Sequence, residues 1–111
     1  MKRRTLVTIT IIAVVLILAI ILMTKPTNGI SQTTTQCIGK NSELYVQLGC
    51  HACKIQEEMF GEDIQYIEVI DCFYERERCG GITATPTWII NGNKYTGVQN
   101  LEKLKELTGC N

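Results

Sequence analysis

The chain has 111 residues, which is enough for one small domain. Its eleven basic and eleven acidic residues cancel, so the composition gives no support for binding to nucleic acid. All six cysteines lie from Cys37 onward. This density of cysteines is typical of a small domain that is stabilised by disulfides or organised around a metal.

The chain begins with basic residues at 2–4, followed by an uncharged apolar run over residues 5–23. As a helix this run would be about 28 Å long, close to the ~30 Å thickness of the hydrocarbon core. A cleaved signal peptide is the alternative, but its apolar region is usually only about 7–15 residues long and precedes a small-residue cleavage site, which this chain does not offer. We therefore predict a single-pass signal anchor in the cell membrane. The basic flank at 1–4 predicts a cytoplasmic N-terminus and an extracytoplasmic C-terminal domain, where disulfides persist.

Residues 24–36 are polar and rich in threonine and glutamine, so we predict a flexible linker before a domain over 37–111. Apolar spacing in that domain predicts an α/β (α+β) architecture in the order β-α-β-(α)-β-β-α. The predicted elements are strands over 43–48, 65–70, 87–90 and 94–96, helices over 54–60 and 101–107, and one helical turn within 72–81.

The motif Cys50-His51-Ala52-Cys53 falls between the first predicted strand and the first predicted helix. Free backbone N–H groups and the dipole at a helix start stabilise a thiolate, and the thiolate is the attacking species in disulfide exchange. We therefore predict Cys50 as the reactive thiol, Cys53 as the resolving thiol, and His51 as a residue that tunes the ionisation of Cys50. The alternatives are a purely structural disulfide or half of a zinc site.

A second motif, Thr85-Pro86-Thr87, enters the third predicted strand. A proline in the middle of a strand would lose a ladder hydrogen bond. A cis Thr85–Pro86 bond at the strand entrance would avoid this loss and leave backbone groups free for an extended substrate. An ordinary trans turn is the alternative.

Together these motifs resemble the thioredoxin family over about residues 44–108. The stretch 86–98 is most similar to the thioredoxin-like domains linked to bacterial and archaeal vitamin K epoxide reductase homologues. Residues 101–104 and the extra cysteine pair, Cys72 and Cys79, are similar to those domains as well.

The resemblance implies a thioredoxin/glutaredoxin-like fold in which Cys50 is the nucleophile, Cys53 the resolving thiol and Pro86 a substrate-binding cis-proline preceded by Thr85. It also implies a membrane-embedded, quinone-linked oxidoreductase as the redox partner. Three departures from ordinary thioredoxin argue against efficient reduction of the cytosolic type but leave dithiol–disulfide chemistry in place. They are Gly49 in place of a tryptophan, Leu44 in place of a buried acid, and the dipeptide His51-Ala52 in place of Gly-Pro.

In this fold Cys37 and Cys110 would lie at the edge of the sheet far from the active site, which predicts a structural disulfide between them. Cys72 and Cys79 would lie nearer the active-site edge. They can form a loop staple, provided that the segment between them bends, or a second redox pair that relays electrons to Cys50 and Cys53.

These observations predict a membrane-anchored, extracytoplasmic thiol–disulfide oxidoreductase that acts on protein thiols and disulfides in disulfide-bond formation. It would need no cofactor or metal and would work with a partner of the vitamin K epoxide reductase type. One alternative is a zinc site built from Cys50, Cys53, Cys72 and Cys79. The other is a non-catalytic interaction domain on the same scaffold.

Overall fold

A computed structural model of the chain describes residues 1–24 and 30–111. Its first element, helix α1, spans Lys2–Met23 and is long and apolar enough to cross a membrane. The threonine hydroxyl groups of α1 donate hydrogen bonds to backbone carbonyls three or four residues earlier. For example, Thr8 Oγ1 donates to the carbonyl of Arg4 at 2.7 Å. The helix therefore presents an apolar surface with its backbone polar groups paired internally.

The remaining described residues form a mixed α+β structure around one four-stranded mixed sheet in the order β2-β1-β3-β4. β1 pairs with β2 in parallel, whereas the β1–β3 and β3–β4 pairs are antiparallel. The strands are β1 Ser42–Val46, β2 Glu68–Asp71, β3 Thr87–Ile90 and β4 Asn93–Thr96. The helices are α2 Gln32–Lys40, α3 His51–Glu58 and α4 Leu101–Thr108, with 3-10 turns over Gly61–Tyr66 and Arg76–Cys79.

Local sequence signals fix the C-terminal half of the domain. Asn91 and Gly92 have φ values of 52° and 78°, which suit a tight turn between the paired strands β3 and β4. The side chain of Asn100 caps α4 by accepting the N–H of Lys103 at 2.8 Å, and Gly109 ends the helix in the left-handed conformation. The hairpin turn and the helix cap therefore both follow from residues next to them in the sequence.

Helix α2 differs from the prediction, because its first five residues, 32–36, fall in the segment predicted as a flexible linker. Ser31 caps the helix by accepting the N–H of Thr34 at 3.2 Å. Two residues of the helix, Thr35 and Ile38, are fully buried. The threonine-rich composition gives no sign of this helix. The helix has a buried face only because the fold places Thr35 in the core. Residues 25–29 of the predicted linker lie outside the described part of the chain.

α2 packs closely on the 3-10 turn over Gly61–Tyr66, which the sequence did not predict. A Cβ atom at Gly39 would lie 1.9 Å from the carbonyl oxygen of Tyr66, so this contact requires glycine. Gln32 also donates from Nε2 to the hydroxyl of Tyr66 at 2.7 Å. The turn takes up residues predicted as strand, so β2 begins only at Glu68.

The core lies between the sheet and the helices and contains Trp88 of β3. Trp88 is fully buried, and its ring centroid lies 5.9 Å from that of Phe60. A disulfide between Cys37 on α2 and Cys110 after α4 closes this core across a sequence separation of 73. The two ends of the domain are therefore joined covalently.

Candidate active site

Cys50 and Cys53 form a disulfide at the start of α3. Cys50 is the N-cap residue, and its sulfur accepts the backbone N–H of Cys53 at 3.2 Å. Cys50 is half-buried, whereas Cys53 is only 3% exposed. The helix begins three residues earlier than predicted because Cys50 itself supplies the cap. Of these two cysteines, Cys50 alone combines a position at the helix end with access from solvent.

The entrance of β3 lies against Cys50. The Thr85–Pro86 peptide bond is cis, and the carbonyl oxygen of Thr85 lies 3.6 Å from Cys50 Sγ. The Pro86 carbonyl accepts the N–H of Gly97 at 2.8 Å, which ties the proline to the chain just after β4. The structure thus brings together Cys50, Cys53, Thr85 and Pro86, four residues singled out from the sequence.

Gln56 fixes the helix that carries the disulfide and was not identified from the sequence. It is fully buried, and its Oε1 accepts from the indole N–H of Trp88 at 3.0 Å and from the backbone N–H of Gln99 at 2.6 Å. Its Nε2 donates to the carbonyl of Gln99 at 3.1 Å. Gln56 could have been found in the sequence from its position three residues after Cys53, because this spacing places both residues on the inner face of α3.

An open cleft of about 370 Å³ lies beside the disulfide, between α3 and the ends of β1 and β2. Cys50 and Cys53 line it together with exposed His51 and two carboxylates, Glu57 and Asp71. Burial raises the pKa of Glu57 above its ordinary value, and the negative charge of Asp71 raises it further. Neither acid was identified from the sequence. Glu57 could have been found from its position four residues after Cys53 on the same helix, and Asp71 from its position at the end of a strand parallel to β1.

The third disulfide joins Cys72 and Cys79, whose Cα atoms are 5.8 Å apart. The chain bends between them through the 3-10 turn over Arg76–Cys79. The backbone N–H of Cys72 donates to the carbonyl of Val46 at 2.8 Å, so this pair begins at the end of β1 that leads to Cys50.

The zinc alternative would require the thiolates of Cys50, Cys53, Cys72 and Cys79 to face one point. The structure instead joins them in two separate disulfides. Within residues 1–24 and 30–111, no group of three or more His, Cys, Asp or Glu side chains is placed to hold a metal ion.

Comparison with known proteins shows a similarity to a thiol-disulfide oxidoreductase. The chain is 32% identical to the thiol-disulfide oxidoreductase LTO1 of Arabidopsis thaliana over 79 residues. This similarity suggests a thioredoxin-like family. The matched region covers 61% of this chain but 21% of that protein, so the chain spans about a fifth of the relative's length. No family model matches the chain. The similarity and the paired cysteines support a redox role.

Proposed function

We propose that the chain is a membrane-anchored, extracytoplasmic thiol–disulfide oxidoreductase with a thioredoxin-like fold. The observation that carries this proposal is the disulfide at the start of α3, whose Cys50 sulfur lies 3.6 Å from the carbonyl that precedes Pro86. The parallel β1–α3–β2 unit followed by the β3–β4 hairpin is in keeping with that fold.

In the oxidising direction, a substrate thiolate attacks Cys50 Sγ and the Cys50–Cys53 bond breaks. Cys53 leaves as a thiolate and takes up a proton. A second substrate thiolate then attacks the mixed disulfide and releases Cys50 as a thiolate. The substrate loses two electrons and gains a disulfide, while the Cys50–Cys53 couple is reduced to the dithiol.

The start of α3 favours this direction, because the N–H of Cys53 and the helix dipole stabilise the departing Cys50 thiolate. Protonated His51 would add a positive charge beside it. Stabilisation of the reduced form makes the disulfide a stronger oxidant. The backbone at Thr85 and Pro86 would hold an extended substrate across the Cys50 sulfur.

The proposal predicts that the full chain, purified in detergent and titrated in glutathione buffers, contains one readily reducible couple. Mass mapping should assign that couple to Cys50–Cys53, and Cys50 should alkylate faster than Cys53 after reduction, because Cys53 is buried. Faster alkylation of Cys53 would reverse the assigned roles. If Cys50–Cys53 resists reduction as strongly as Cys37–Cys110, the disulfide is structural and the domain is not an oxidoreductase.

The membrane location and the partner form the second part of the proposal. α1 would anchor the domain, and a quinone-linked membrane protein of the vitamin K epoxide reductase type would reoxidise the dithiol. Eight residues, 24–31, separate α1 from α2, and a fully extended chain of that length spans at most about 28 Å. Such a short tether would confine both proteins to one surface and raise their effective concentration.

The tether is tested by replacing residues 1–24 with a cleavable export signal that delivers the domain to the same compartment. We expect the intact chain to be reoxidised at least tenfold faster than the released domain at equal abundance. The measurement is the redox state of Cys50–Cys53, trapped by alkylation after a pulse of reductant. Equal rates would leave α1 with a role in localisation alone.

A further inference from the structure

We propose that Glu57 is the proton acceptor for Cys53 when Cys53 closes onto Cys50, and that Asp71 is the fixed charge that prepares Glu57 for this role. The inference rests on the proposed function and assigns residues to its proton transfer.

The geometry of α3 supports the pairing of Glu57 with Cys53. Residues four apart lie on one face of a helix, and side chains lean toward the helix N-terminus, so Glu57 points back toward Cys53. Both residues line the same open cleft of about 370 Å³. Cys53 is only 3% exposed, whereas Glu57 is half-buried. Glu57 is therefore the carboxylate of α3 that shares this cleft with Cys53.

Asp71 differs from Glu57 in its hydrogen bonds. Its Oδ1 accepts the backbone N–H of Phe73 at 2.9 Å and that of Leu48 at 3.2 Å. These two bonds hold the Asp71 carboxylate at the edge of the cleft, where its negative charge acts on Glu57. That charge and burial both raise the pKa of Glu57.

The other charged groups that line the cleft come from α3. His51 and Lys54 are both exposed to solvent, and Lys54 Nζ lies 3.9 Å from Glu58 at the surface. The segment between β1 and α3 contributes no charged side chain to the lining. Exposed cations are screened by water and affect the half-buried Glu57 less than Asp71 does.

The step begins from a mixed disulfide between Cys50 and a substrate. Glu57, ionised, takes the proton of the Cys53 thiol, directly or through one water. The Cys53 thiolate attacks Cys50 Sγ, the Cys50–Cys53 bond forms, and the bond from Cys50 to the substrate breaks. The substrate leaves as a thiolate and has been reduced by two electrons, while the enzyme dithiol has been oxidised. In the reverse direction, protonated Glu57 returns the proton to Cys53 as it leaves.

The test measures this resolution step in the full chain in detergent. Reduced protein is mixed with a small peptide disulfide, and formation and decay of the Cys50 mixed disulfide are followed by rapid acid quench and mass spectrometry between pH 5.5 and 9.5. We expect Glu57→Gln to slow the decay by about tenfold or more near pH 6.5, with formation of the mixed disulfide preserved. The difference should shrink as the pH rises toward 9.5, because hydroxide then removes the thiol proton without help from Glu57.

The sign of the effect separates proton transfer from simple electrostatics. Removal of a negative charge near Cys53 favours its thiolate, so a purely electrostatic role predicts faster decay in Glu57→Gln. Glu58→Gln makes the same change on the exposed side of α3 and should leave the decay rate unchanged. Glu57→Asp should restore part of the rate. Asp71→Asn retains an oxygen for the two N–H groups but removes the charge. It should therefore lower the pKa of Glu57, and the decay rate of the mixed disulfide should begin to rise at a lower pH than in the wild-type chain.

Equal or faster decay in Glu57→Gln, with the native disulfides intact, would overturn the assignment. Failure of the wild-type chain to form a mixed disulfide at Cys50 would instead refute the proposed oxidoreductase function. The two failures are therefore distinguishable in one experiment.

Discussion

Cys50→Ser is expected to abolish turnover of disulfide and dithiol substrates, because no other cysteine in the described structure lies at the start of α3 with access to solvent. Cys53→Ser should preserve the first attack but remove the resolving thiol, so mixed disulfides with substrates should accumulate at Cys50. The measurement is turnover with a peptide substrate, combined with mass spectrometry of trapped complexes on membranes that contain each variant.

The matched control is the double variant Cys72→Ser/Cys79→Ser, which removes a disulfide at the same end of the sheet. Retained turnover would identify that pair as a loop staple. Loss of turnover in a folded double variant would favour the alternative, a second redox pair that relays electrons to Cys50 and Cys53. Trapped substrate at Cys53 in the Cys50→Ser variant would contradict the assigned order of attack.

Replacement of both Cys37 and Cys110 by serine is expected to lower the free energy of unfolding by about 4 kcal/mol. The disulfide closes a sequence separation of 73, and its removal returns the corresponding loop entropy to the unfolded chain. The same calculation gives about 2.5 kcal/mol for Cys72–Cys79, whose separation is 7. Denaturant unfolding of the full chain in one detergent, followed by tryptophan fluorescence of Trp88, measures both losses.

The comparison of the two double variants checks the physical cause. A larger loss from the Cys72–Cys79 pair than from the Cys37–Cys110 pair would show that local packing, and not loop closure, determines the stabilisation. In both variants the mapped Cys50–Cys53 disulfide should remain, which separates loss of stability from disulfide rearrangement.

Elements whose signals act over a few residues are predictable without the fold. The turn at Asn91 and Gly92 and the cap of α4 at Asn100 follow from turn and capping preferences that need no distant partner. The β-branched and aromatic residues of Thr87–Ile90 favour a strand in the same way. The same reasoning located Cys50 and Cys53 at a strand–helix junction, because two cysteines three apart suit the first turn of a helix.

Which polar residues are buried, and which distant residues meet, depends on the packing of the whole domain. α2 forms within a threonine-rich segment because Thr35 and Ile38 are covered by the fold, and Gln56 is buried because Trp88 and Gln99 satisfy its amide. Glu57 and Asp71, fourteen positions apart in the sequence, line one cleft because β2 pairs in parallel with β1. Burial and charge coupling depend on neighbours that the chain brings together only on folding, so no local pattern encodes them.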